Sequence, residues 1–141
     1  MSLDIYLTTP RSEKSRAEQA IELLRANGFD DFADELHGRH YDECGPIRVF
    51  DTNITHNLGR MAEAGGFYRE VWCPDELGIT KASQMIHPLR RAIQWMQANR
   101  REAEKHNAKN GWGMYEHFLP WLSGYLAACE KHPDADIQAS R

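Results

Sequence analysis

Within the segment DTNITHN, residues 51–57, Asp51, Asn53, Thr55, His56 and Asn57 all carry groups that can hold a polar ligand or handle a proton. An imidazole serves equally as base, hydrogen-bond donor or metal ligand, so His56 by itself does not name its chemistry. No HExxH or comparable spacing surrounds it. The same residues also suit the start of a helix, with Thr55 as N-cap, Asn53 as turn former and His56 hydrogen-bonded in the first turn. Both readings stand at this level.

A second segment, NGWGMYEHF at 110–118, sets two glycines around Trp112 just before a helical pattern. Glycine permits positive φ and close backbone approach, so a tight turn there would present Trp112, Tyr115 and Glu116 in fixed orientations. Trp112 reads either as core or as a stacking platform for a base or sugar. Should the two segments face each other, His56, Asn57, Trp112, Tyr115 and Glu116 would line one pocket with an aromatic wall. An enzyme built there would use His56 as base or metal ligand, with Glu116 or Asp51 as its carboxylate partner, on a phosphate-containing or nucleotide substrate.

A third cluster, HGRHYDEC, offers His37, His40, Asp42, Glu43 and Cys44 as metal ligands. Gly38 is expected to break the helix between the two histidines, which leaves a solvated loop as the simpler reading. His87, His106, His117 and His132 have no partner pattern and read as surface or cap residues. GxSxG, P-loop and GxGxxG sequences are missing, so serine-hydrolase and nucleotide-fingerprint chemistries lack their motif. No local feature names a cofactor.

Composition narrows the class. The 141 residues are 41% hydrophobic and 27% charged, with a net charge of −4, which suits a globular domain and argues against broad nucleic-acid binding. Arg90, Arg91, Arg100 and Arg101 form at most a local basic patch, more simply a solvated helix face. Cys44, Cys73 and Cys129 are odd in number and far apart, as expected of free thiols in a reducing compartment. No apolar run reaches the roughly 18 residues of a membrane span, and MSLDIYLTTPR lacks a signal-peptide core. A cytoplasmic, non-membrane protein is expected.

These residues must be positioned by elements that the hydrophobic period predicts. SLDIYLTT alternates Leu3, Ile5 and Leu7 against polar neighbours as a strand. Ser12–Asn27 and a stretch behind Asp30 as N-cap form two helices closing at Gly28 and Gly38. IRVFDTNI follows as a second strand, with Ile47 and Val49 set against Arg48 and Phe50. A two-turn helix begins at Asn57, and Phe67, Tyr68 and Trp72 fill a core edge within an irregular stretch. Thr80 caps a helix to Ala98 that Pro88 should kink, and a last helix from about Met114 conflicts with Pro120. ADIQAS closes as a third strand. The expected fold is one α+β domain over 1–141, a small antiparallel sheet of about three strands packed by four or five helices, with a helical hairpin inserted at about 11–42.

The segments NITHNLGRMAEAGGFYREVWCPDELGITKA, NGWGMYEHFLPWL and YLAACEKHPDADIQASR resemble a family of small uncharacterised bacteriophage proteins. The resemblance covers most of residues 1–9 and 47–141, and against shorter members the hairpin from about Arg11 to Asp42 looks like an insertion. It implies a host-cell cytoplasmic setting and an accessory binding role. Such a protein would work against host defence, sequestering a nucleotide-like ligand or blocking a host protein, with a homo-oligomer left open. Ligand-binding residues would then be Asn53, Thr55, His56, Asn57, Trp112, Tyr115 and Glu116. The alternatives are a small hydrolase or nucleotide-modifying enzyme using His56, and a structural or assembly factor.

Overall fold

The computed structural model describes all residues 1–141. Strand β1, Ser2–Thr9, alternates as its sequence predicts, with Leu3, Ile5 and Leu7 wholly buried. It is the middle strand of a three-stranded antiparallel sheet, between β2, Ile47–Thr55, and β3, Asp136–Ser140. Asp4 of β1 lies opposite Ser140, and Thr8 opposite Asp136. On β2, Val49, Phe50 and Ile54 pack partly buried against the core, Phe50 stacked on Tyr125 at 6.3 Å, whereas Ile47 is exposed. The expected alternation holds at Val49 and Arg48 and is corrected at Ile47 and Phe50: at an edge strand an aromatic neighbour can draw a ring inward against the alternation.

The chain divides into two compact units, Met1–Thr8 with Val49–Arg141, and Thr9–Arg48. The second unit contains the anticipated hairpin. Helix α1, Arg16–Ala26, is capped by the Ser15 hydroxyl, which accepts from the Glu18 N–H, and Gly28 ends the turn with φ +79°. Helix α2, Asp30–Arg39, starts without a side-chain cap and runs straight through Gly38, so Asp30 is a first-turn residue and not the cap. Arg11 donates to the Gly45 carbonyl and the Gly45 N–H donates to Glu18, which ties the ends of the excursion together.

In the first unit a 3-10 turn, His56–Leu58, leads into α3, Gly59–Ala64, followed by α4, Tyr68–Trp72. Helices α5, Ala82–Ala98, and α7, Tyr115–Lys131, pack against each other, with the short α6, Arg100–Glu104, between them. The seven helices exceed the four or five expected, because α3, α4 and α6 span one or two turns each and are too short to show a period. Met85, Leu89 and Met96 of α5 meet Phe118, Leu122, Tyr125 and Cys129 of α7 in the core. Pro88 and Pro120 are accommodated inside continuous helices. Thr80 does not cap α5 directly; the Gln84 side chain reaches back to accept from the Thr80 and Lys81 N–H groups.

Around Trp72, which is fully buried, Tyr68 stacks at 5.2 Å and Phe118 meets it edge-on at 6.0 Å. Phe67 joins Phe118 at 5.8 Å, so of the rings expected at a core edge Phe67 and Trp72 are buried within it and Tyr68 packs partly buried against it. No helix is long and apolar enough to cross a membrane.

The Tyr125 hydroxyl is buried without a protein hydrogen-bond partner. Tyr125→Phe is therefore expected to leave stability unchanged or raise it by up to about 1 kcal/mol in urea denaturation, and a clear loss would contradict this. Burial pushes the Tyr125 phenol well above its ordinary value, and burial reinforced by Glu130 pushes the Cys129 thiol up to about 12. Both groups ionise more readily in the unfolded chain, which then binds fewer protons than the native state at high pH. Stability should fall as pH rises above about 9, and fall less steeply in Cys129→Ala, as denaturation at a series of pH values would show.

Candidate functional site

The polypeptide leaves β2 at Thr55, whose hydroxyl accepts from the Asn57 N–H at 3.3 Å and so caps the 3-10 turn. The His56 N–H donates to the Met1 carbonyl at 3.4 Å, holding the turn beside the start of β1. Half-buried, His56 turns Nδ1 inward to accept the Trp72 indole N–H at 3.0 Å. An indole nitrogen only donates, so Nδ1 must be the unprotonated ring nitrogen in this bond. Helix start and site are thus built from the same residues.

Residues 105–114 form the connection between α6 and α7. The Ala108 N–H donates to the Gly113 carbonyl, and the Trp112 N–H to the Asn110 side chain, which fold the connection back on itself. The Asn57 side chain then donates to the Trp112 carbonyl at 2.7 Å, so NITHN and NGWGMYE do meet. Gly113 is at φ +117°, and a Cβ there would stand 2.9 Å from Asn57 Cβ. Only glycine allows both the backbone angle and this approach.

Where the two segments meet, a cleft of about 630 Å³ opens. Its lining carries the cations of Arg60, Lys105 and Lys109, the imidazoles of His56 and His106, and the amides of Asn57, Asn107 and Asn110. Beside it a second cleft of about 500 Å³ is lined by Met1, Thr55, His56, Asn57, Asn110 and Trp112. His56, Asn57 and Asn110 border both, and neither lining contains a carboxylate. Lys105 is held by Glu102 at 2.8 Å, and this bond keeps the Glu102 carboxyl below its usual range. Arg60 and Lys109 take part in no ion pair, unlike Arg69, Arg90, Arg91, Arg100 and Arg141.

The remaining sequence candidates are placed elsewhere. Trp112 is 72% exposed, which removes its core reading. Tyr115, expected in the pocket, is instead buried; its hydroxyl donates to the Met96 carbonyl at 2.9 Å and the Arg100 guanidinium lies over its ring. Its position as the first residue of α7 turns it into the helix packing. Glu116 points to solvent 3.8 Å from His117 and borders neither cleft, and exposed Asp51 and Asn53 on β2 border neither. In the hairpin unit the metal candidates are likewise corrected. His40 bonds Glu43 at 2.8 Å and His37 packs edge-on to Tyr41, and no group of three ligating side chains assembles.

In the sequence Arg60, Lys105, Asn107, Lys109 and Asn110 have no site role and His106 reads as a surface or cap residue, whereas all six line the cleft. All but Arg60 lie in the polar run KHNAKN at 105–110, the one signal that could have marked them; Arg60, in the helical pattern after Asn57, has none. No protein-family model, curated protein or solved structure matches the chain.

Gly113→Ala should cost about 1–3 kcal/mol in urea denaturation, combining a left-handed backbone penalty with the clash against Asn57. Gly111→Ala, also at positive φ but with open space around its Cβ, should cost less. Equal costs at the two positions would mean that the close approach to Asn57 is not constraining.

Proposed function

We propose that this chain is a phage-type accessory binding protein that sequesters a nucleotide-like ligand, in keeping with the counter-defence setting implied by the family resemblance. The observation that carries the reading is the carboxylate-free cleft, where unpaired Arg60 and Lys109 stand beside exposed Trp112 in a chain of net charge −4. Cations that are already paired must give up a partner to bind an anion; these two need not. Phosphate groups fit the cationic cleft, with charge-assisted hydrogen bonds from guanidinium and ammonium. A base fits the adjoining cleft against the Trp112 ring, where stacking contributes about 1–3 kcal/mol. The volumes lie in the usual range for small-molecule sites.

Titration calorimetry with ATP, ADP, a cyclic dinucleotide and inorganic pyrophosphate tests this. Saturable binding of at least one is expected, weakened about tenfold or more in Arg60→Ala and in Lys109→Ala. Trp112→Ala should weaken a nucleotide while sparing pyrophosphate. An absence of binding across the set, at low salt, would overturn the reading.

A further inference from the structure

We infer that Trp72 is a positioning residue for the cleft: its indole N–H fixes His56 as a hydrogen-bond donor at Nε2, which suits the site to holding a phosphorylated ligand unchanged. This rests on the binding reading above and specifies how that site treats its ligand.

Trp72 is fully buried between Tyr68 and Phe118, and its indole N–H has one acceptor, His56 Nδ1 at 3.0 Å. Losing that acceptor would strand a buried donor, so the bond favours one ring orientation and one neutral tautomer. The neutral ring with Nδ1 unprotonated carries its hydrogen on Nε2. That nitrogen lies across the ring from Trp72, and the ring borders both clefts.

The chemical consequence is specific. A general base or a metal ligand needs a free nitrogen lone pair, and the Nδ1 pair is engaged by Trp72 while Nε2 bears hydrogen. No carboxylate borders either cleft to take the base role instead. What His56 does offer is an N–H, which phosphate oxygens accept. Arg60 and Lys109 supply charge, and His56 supplies a directed donor between the two clefts.

Long-range ¹⁵N–¹H NMR on protein labelled in histidine nitrogen reads the tautomer directly, without any ligand. Wild-type His56 is expected as the Nε2–H form, with Trp72→Phe shifting it towards a mixture; an Nδ1–H form in the wild type would overturn the inference. Two further variants test the role with pyrophosphate and ADP as probes. Glutamine can both accept from Trp72 and donate to phosphate, so His56→Gln should keep affinity within about threefold while His56→Leu loses about tenfold or more. ADP should be recovered intact from the wild type. Binding that His56→Leu leaves unchanged, or hydrolysis that His56→Gln abolishes, would also overturn the inference. If neither probe binds while the Nε2–H tautomer is found, the binding reading fails and the Trp72 constraint on His56 stands.

Discussion

The indole N–H of Trp72 is buried and finds its acceptor in His56, and that bond organises the region around it. An unpaired donor at that depth costs about 1–3 kcal/mol, a large share of what a domain of this size has to spare. His56 removes that cost, and in doing so ties the exit of β2 to α4. The same indole meets Phe118 of α7 and stacks with Tyr68, while its backbone carbonyl accepts from Arg141 beyond β3 at 2.8 Å. One residue thereby joins the sheet's end, two helices and the residue that carries the cleft. Arg141 is itself braced by Asp75, whose carboxyl this bond keeps below its ordinary range.

On that fixed edge the connection before α7 is laid down by backbone geometry more than by side-chain packing. Asn57 holds the Trp112 carbonyl, Gly113 comes close enough to exclude any Cβ, and Asn107 accepts from the Tyr115 N–H at 2.7 Å to start the helix. Trp112 is left outside because its carbonyl, and not its ring, makes the tertiary contact. The cationic character of the cleft is local. A net negative chain can still present a positive site, since exposed charges are screened beyond about 10 Å and only the lining groups act strongly on a ligand. Arg60 comes from α3 and Lys109 from the connection, and they are brought together by the Asn57 contact.

The legible part of the fold follows a simple rule of length. Strand β1 and helices α1, α5 and α7 run long enough for their period to emerge above noise, and their apolar stripes are the ones found buried. Helices α3, α4 and α6 do not, and the stretch around Trp72 reads as irregular although Val71 and Trp72 within it are fully buried. Prolines misled in the other direction. Pro88 is itself buried in α5, so tertiary packing outweighs the local loss of one helical hydrogen bond.

The sequence by itself determined the α+β class, the strands, the long helices, the helical hairpin between the first two strands and the two polar segments as candidates, because alternation, helical period and glycine placement are local properties. It also marked His56, Asn57 and Trp112. Tertiary structure alone decided that Tyr115 turns inward and Glu116 outward, and that Arg60 joins Lys105, His106 and Lys109 around one space. It likewise decided which nitrogen of His56 is engaged. Residues 45 or more positions apart share that cleft, and proximity at such separation arises from packing, which no local pattern encodes.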